Sequence, residues 1–331
     1  MFPEKVYYEE AISNYPLGQY LRKKYQDRDW IAIESHNKID ELRTRPNSDF
    51  QKMKQYLIIG VRKTHKFVPN AKVSDFLVPY TSSGCIAQCL YCYLVCNYNK
   101  CSYLRLFVNR EEMLDKIIRT AEKSTEELTF EIGSNSDLIL ENSITSNLIW
   151  TIEQFAKSKK GRLTFPTKFS SVAPLLPLNH RGKIVFRMSV NPEEVIKLVE
   201  IGTSPLESRI RALNQMCDAG YPCGLLIAPV IFLSNWKQLY GDLITRLNEK
   251  LSEKVKKHGF IEIIFMSYSF IHRKINEEAF PEAPDLYDST LMTGRGRGRY
   301  TYKNDIRQEA EGFFRMELEK KLPNMKILYF S

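Results

Sequence analysis

The chain has 331 residues, 43% of them hydrophobic and 26% charged, with a formal net charge of +9 at pH 7. That is a globular balance, long enough for one large domain with extensions or for two domains. Seven cysteines are too few for a disulfide scaffold of this length, no window approaches the ~18 consecutive apolar residues of a membrane span, and the first residues lack the basic-then-apolar pattern of a signal peptide. A cytoplasmic protein is expected. The excess of Lys and Arg points to a polyanionic partner, most simply nucleic acid, with plain solubility as the competing reading.

Residues 1–72 are polar and helix-leaning, with basic stretches at Arg22-Lys23-Lys24 and between Lys63 and Lys66; they are expected to form a helical cap or arm. From residue 73 short β-rich runs alternate with amphipathic helical patterns. Strands are predicted at 75–80, 128–133, 162–166, 184–190, 224–232 and 261–268, and helices at 110–123, 143–158, 192–201, 205–219 and 236–256. Such alternation argues for a parallel sheet with crossover helices, either a partial β/α barrel or a doubly wound sheet, over 73–276. Ser204-Pro205-Leu206-Glu207 reads as a capping box with proline at the first helical position, and Gly220 as the stop of that helix. Beyond Glu277 the rhythm is lost. Pro281 and Pro284 punctuate a loop, glycine and arginine alternate from Gly294 to Tyr300, a helix is predicted at 305–321, and a short apolar run ends the chain at 326–330. Residues 277–331 are read as a C-terminal, DNA-contacting extension of hairpin and helix.

Five of the seven cysteines fall between Cys85 and Cys101, a clustering that reads as metal binding in a reducing compartment. Directly after the first strand candidate stands Gly84-Cys85-Ile86-Ala87-Gln88-Cys89-Leu90-Tyr91-Cys92-Tyr93, the pattern C-x3-C-x2-C with an aromatic residue before the last cysteine. Three thiolates on one short loop can hold three irons of a cubane and leave the fourth open to a non-protein ligand, whereas ordinary electron-transfer clusters use four cysteines. A zinc ribbon or redox pair would show paired C-x-x-C units, and no fourth ligand stands at a recognisable spacing. His36, His65, His180, His258 and His272 are scattered and are read as surface or hydrogen-bonded core residues. Functional loops of α/β sheets lie at the carboxyl ends of strands, where this one falls. The arrangement resembles the radical SAM superfamily. That resemblance implies a partial (β/α)6 TIM-like barrel, a 4Fe-4S cluster held by Cys85, Cys89 and Cys92, and S-adenosyl-L-methionine, which the open iron chelates and the reduced cluster cleaves to a 5′-deoxyadenosyl radical.

From about residue 75 to the end the chain is similar to a narrower group, the spore photoproduct lyase family. The likeness rests on the cysteine run; on Phe130-Glu131 with Ser136-Asp137; on the segments 161–168, 186–191 and 200–204; and on Ala219-Gly220-Tyr221, Ala228-Pro229 and 298–302. It implies a carbon–carbon lyase that repairs 5-thyminyl-5,6-dihydrothymine in double-stranded DNA to two thymines, fed by an electron donor such as flavodoxin or ferredoxin. Ser136, Lys168, Ser189 and Ala228 stand where the family contacts S-adenosylmethionine. Each lies near the end of a different strand candidate, which suits one shared pocket; the bland readings are a helix cap for Ser136 and a surface cation for Lys168. Tyr91 and Tyr93 match tyrosines that relay a hydrogen atom, with packing around the cluster as the alternative. A monomer is expected, because no strong apolar helical stripe is left over.

The chain departs from the family at one point. Where the family carries a Cys-Thr-Ser-Asp run, whose cysteine gives the last hydrogen atom, this chain reads Ser134-Asn135-Ser136-Asp137. An O–H bond is far stronger than an S–H bond, so serine cannot take that role. Three explanations stand: a serine introduced for a natural cysteine, another thiol in its place, with Cys96 or Cys101 as candidates, or a related branch acting on a different nucleic-acid substrate. A non-catalytic nucleic-acid-binding metalloprotein is the alternative of another class. Cys217 and Cys223 are read as ordinary buried thiols. The alternation at 294–300 places Arg295, Arg297 and Arg299 between glycines, suited to close backbone approach and bidentate phosphate contact, with Tyr300 and Tyr302 able to stack on an exposed base. In the resembled family a hairpin here enters the duplex at the lesion.

Overall fold

In the computed structural model, which describes residues 3–97 and 103–331 (the side chains of Cys96 and Asn97 excepted), residues 3–60 build a sheet with helices between its strands, not a helical arm. β1 (Lys5–Tyr8), β2 (Asp29–Ala32) and β3 (Leu57–Gly60) are each four residues long and pair in parallel. Between them run α1 (Pro16–Lys24) and the single turns α2 (Asp40–Arg43) and α3 (Phe50–Met53). The helical expectation for 1–72 therefore fails. Strands this short show too few alternations to stand out among charged residues, yet they order because α1 and β1 close a core of Val6, Leu17, Leu21, Leu57, Ile59, Leu104 and Leu106. Burial of each such side chain is worth about 1.5–3 kcal/mol.

The described residues divide into two compact units, Met1–Gln88 with Leu94–Phe165 and Leu178–Ile184, and Cys89–Tyr93 with Pro166–Pro177 and Val185–Ser331. The first unit continues with β4 (Val68–Pro69), β5 (Phe76–Leu77), β6 (Ser82–Ser83), α4 (Leu94–Asn97) and β7 (Leu104–Phe107). It then adds α5 (Arg110–Lys123), β8 (Thr129–Glu131), α6 (Leu138–Thr145), α7 (Asn147–Phe155) and the start of β9 (Arg162–Thr167). One sheet runs β2-β1-β3-β7-β6; beside it β5 pairs β8 and β8 pairs β9, both in parallel. The single helix expected over 143–158 is two, divided at Ser146, whose φ of 55° lies in the left-handed region that ends α6.

The second unit is built on the parallel strands β10 (Ile184–Val190), β11 (Cys223–Val230), β12 (Phe260–Phe265) and the C-terminal β16 (Lys326–Phe330). Their crossovers are α8 (Glu193–Val199), α9 (Leu206–Asp218), α10 (Trp236–Lys250) and α11 (Glu253–His258). All seven residues of β10 are buried, as expected of a strand covered on both faces. Beyond β12 come β13 (Ser267–Ser269), α12 (Phe270–Ala279), β14 (Met292–Gly294), β15 (Arg299–Tyr302) and α13 (Asn304–Lys321). β15 lies antiparallel between β13 and β14.

Two expected details are corrected here. Ser204 does not cap α9: the cap is Pro205, Glu193 Oε2 accepts from the Leu206 amide, and Ser204 Oγ accepts from the Ser170 amide instead. The run 236–256 breaks at Leu251, and Ser252 caps the short helix that follows, its Oγ accepting from the Val255 amide. Gly220 does close α9, with φ of 90°. Among the described residues no helix is long and apolar enough to cross a membrane.

Candidate active site

Four side chains from separate segments of the second unit, those of Tyr91, Lys168, Asn191 and Arg209, converge on a single buried carboxylate, Glu200. Its Oε1 accepts from the Tyr91 hydroxyl at 2.5 Å and from Asn191 Nδ2 at 2.9 Å, with Lys168 Nζ at 3.0 Å. Arg209 Nη2 lies 2.7 Å from Oε2, an ion pair lying off hydrogen-bond alignment. Lys168 Nζ also donates to Ser189 Oγ at 2.6 Å and to the Ala228 carbonyl at 2.7 Å. Chain geometry explains the carbonyl. The register of β11 against β12 shifts between Ile227 and Val230, and Pro229 has no amide to give the ladder, so the Ala228 oxygen turns to side chains.

A buried carboxylate without partners would be neutral. Burial pushes the Glu200 carboxyl up, but the charges of Lys168 and Arg209, with the bonds from Tyr91 and Asn191, override it and hold it at about 2. The same contact works the other way on Tyr91, whose phenol is raised well above 10 by burial and by the Glu200 charge. Two cations on one carboxylate leave a surplus positive charge. It is reachable at Lys168, one-fifth exposed, and not at Arg209, which is wholly buried.

Lys168, Ser189 and Ala228, expected from the sequence to share a pocket, are thus brought into mutual contact. Ser136 belongs to the first unit, where its hydroxyl donates to the Gly84 carbonyl at 2.8 Å. It does not cap α6; Asp137 does, accepting from the amides of Ile139 and Leu140. Glu200, Asn191 and Arg209 were missed as site residues. Their signal was a Glu and an Arg beside an otherwise apolar run, which only the fold pairs.

Of the cysteine loop, Cys85 lies in the first unit, where its carbonyl accepts from Lys54 Nζ at 2.8 Å and its sulfur from the Ala87 amide at 3.4 Å. Cys89 and Cys92 lie in the second, joined by a turn in which the Cys92 amide donates to the Cys89 carbonyl at 3.1 Å. All three are half-buried and outside any disulfide. Among the described residues no three His, Cys, Asp or Glu side chains gather around one metal ion; a cubane asks for something else, one thiolate for each of three separate irons. Tyr93 is half exposed, and Tyr91 donates to Glu200. The side chain of Cys96 and all of Cys101 lie outside the described residues. Cys217 and Cys223 are buried thiols, and Cys223 Sγ donates to the Tyr221 carbonyl at 3.2 Å.

The glycine–arginine run forms the turn of the β14–β15 hairpin. Gly296, Arg297 and Gly298 have φ of 81°, 52° and 68°, a left-handed succession that glycine makes affordable on either side of Arg297. Arg295, Arg297 and Arg299 are all exposed. Tyr300 packs edge-on against Phe270 and Tyr287, with ring centres 5.1 and 4.6 Å away. Tyr302 cannot stack on a base: it is 3% exposed and its hydroxyl accepts from the Phe232 amide at 3.1 Å. Sequence reasoning overlooked Phe270 and Ile271, two large apolar side chains about half exposed at the start of α12 beside these arginines.

Comparison with known proteins adds the following. The family model described as spore photoproduct lyase matches residues 1–331. Spore photoproduct lyase of Bacillus subtilis (strain 168) is 33% identical over 99% of this chain and 98% of its own, and that of Geobacillus sp. (strain Y412MC61) is 30% identical over the same shares. A solved double variant of spore photoproduct lyase, with bound AdoMet and dinucleoside spore photoproduct, superposes with a TM-score of 0.92 at 28% identity over 99% of each chain. A further structure of that enzyme, complexed with dinucleoside spore photoproduct, gives 0.91 over the same shares. The fold is therefore the mixed α/β partial barrel of those structures. Matched along its whole length, the chain belongs to the spore photoproduct lyase family.

Proposed function

We propose that this chain is a radical SAM DNA repair lyase that converts 5-thyminyl-5,6-dihydrothymine to two thymines, breaking the carbon–carbon bond between the bases. The relatives' own substrate and AdoMet, together with the Glu200–Lys168–Ser189–Ala228 arrangement, support this reading; that arrangement is the observation that carries it. The residues present fit the cofactors by their chemistry. Cys85, Cys89 and Cys92 are the thiols that hold a 4Fe-4S cluster with one open iron. Lys168 and Ser189 offer a cation and a hydroxyl to the polar end of S-adenosylmethionine, and the surplus positive charge suits its carboxylate. Once reduced, these cofactors supply a 5′-deoxyadenosyl radical able to take a hydrogen atom from the lesion.

The chain's own contribution is positional. Glu200 fixes Lys168 and the Tyr91 phenol together, so neither can reorient independently. Tyr93, half exposed, is the tyrosine better placed to exchange a hydrogen atom with a bound group. The arginine hairpin neutralises phosphates without reading sequence, and Phe270 and Ile271 give an apolar surface to an unstacked step. The thiol that completes repair is Cys96 or Cys101, since Ser134 has none; their replacement by Ala raises abortive adducts of the thymine radical with dithionite, and an unchanged product ratio in both variants removes them from the role. Flavodoxin or ferredoxin is the class of external one-electron donor. Incubating anaerobic, iron-loaded protein with the lesion dinucleotide, S-adenosylmethionine and dithionite tests the function. Appearance of the repaired dinucleotide, with two ordinary thymine bases, supports it; 5′-deoxyadenosine formation with the lesion intact sinks it.

A further inference from the structure

The backbone between Cys89 and Cys92 is gripped by one face of α12. Asn276 Nδ2 donates to the Leu90 carbonyl at 2.9 Å and to the Tyr268 hydroxyl at 3.1 Å, which uses both of its protons. One turn earlier, the His272 ring bonds the Cys92 backbone. Its tautomer follows from its neighbours. The Ser269 amide donates to Nδ1 at 3.1 Å, completing the capping box of α12, so Nδ1 accepts and the ring proton sits on Nε2, facing Cys92. The ring stacks on Tyr268 with centres 5.2 Å apart and planes 17° apart. On the other side of the segment the Leu90 amide donates to the Val199 carbonyl at 3.0 Å. His272 and Asn276 are 4% and 9% exposed. Two buried polar side chains, four residues apart on one helix face, thus both spend donors on a loop's backbone and none on solvent.

We propose that His272 and Asn276 are positioning residues for the cysteine loop: by holding the Leu90 and Cys92 backbone they fix the segment carrying two cluster ligands, and with it the cluster's reduction potential. The inference rests on the reading above that Cys89 and Cys92 bind the cluster. Outer-shell hydrogen bonds orient metal ligands and tune metal centres in general. Ser269 on β13 pairs with Arg299 of the hairpin strand, so the same helix start anchors both the loop clamp and the arginine hairpin.

The test uses the full chain, loaded with iron anaerobically. Asn276→Leu and His272→Phe keep shape and remove the donors; His272→Gln returns one. Loss of one net hydrogen bond of up to ~1.4 kcal/mol accelerates amide exchange at 90–92 up to about tenfold, with the rest of α12 and β12 unchanged. Iron content is retained. The equilibrium constant for one-electron reduction moves by up to about tenfold, about 59 mV, and His272→Gln recovers the native value in part. Exchange and potential unchanged in both donor-less variants overturn the proposal, as does acceleration spread over the whole unit, which marks a packing role only. If the unaltered chain binds no iron, it is the cluster reading that fails, and the exchange arm alone still decides whether the clamp exists.

Discussion

The carboxylate hub at Glu200 and the arginine hairpin at 294–300 are both charged, and they solve opposite problems. At the hub, Glu200 and Arg209 are wholly inaccessible and Lys168 is one-fifth exposed, all three held among fixed partners. At the hairpin, three like charges stand exposed on a turn with successive positive φ values. The first arrangement holds a geometry before any ligand arrives; the second, under the proposed function, meets the phosphates of DNA. Buried charge couples to folding, exposed charge to binding and to salt.

Substituting each region should separate these roles. Glu200→Leu strands Lys168 and Arg209 without their counter-ion, and costs about 3–5 kcal/mol of stability by chemical denaturation; a loss below 1 kcal/mol would show the hub to be loosely held. Acid gives a second view of the same charge. The Glu200 carboxyl is lowered from 4.5 to about 2 in the folded chain, so its contribution is complete above pH 4.5 and disappears as pH falls toward 2. It amounts to on the order of 3 kcal/mol. Urea midpoints between pH 5 and pH 2.5 should fall less in a Glu200→Gln variant than in the native chain.

The tyrosines sharpen the comparison within one loop. Tyr91→Phe removes a hydrogen bond to a charged acceptor and loses about 1.5–3 kcal/mol, whereas Tyr93→Phe, at a half-exposed position, stays within about 0.5 kcal/mol while changing turnover. Equal stability losses in the two would contradict the distinction drawn between them. The smallest stability effect is expected at the hairpin. Replacing Arg295, Arg297 and Arg299 together by Ala leaves the thermal midpoint nearly unchanged, yet lowers the slope of log affinity for DNA against log salt by about 3.

How much of this could be read in the sequence follows from the same contrast. The strand at 184–190 and the helices at 110–123 and 206–218 were legible because burial imposes a pattern on every residue of a long element. β1, β2 and β3 were not, since four residues in a charged stretch fit several readings. Two helices were over-extended, for nothing in the composition marks Ser146 or Leu251 as a break. The cysteine spacing and the arginine alternation are local, so the sequence displays them whole. The Glu200 hub is not local: Tyr91, Lys168, Asn191 and Arg209 meet only after folding, and Ser204, which looked like a cap, bonds Ser170. The tertiary partner decides such polar side chains, and sequence spacing cannot supply it.

The central claim is that three cysteines hold a cubane with one iron left for S-adenosylmethionine, and electron paramagnetic resonance of the reduced, anaerobic chain addresses it most directly. The expected result is a 4Fe-4S signal that changes when S-adenosylmethionine is added and that vanishes in Cys85→Ala, Cys89→Ala or Cys92→Ala. A cluster signal indifferent to S-adenosylmethionine, or one that survives loss of any of these thiols, would contradict it.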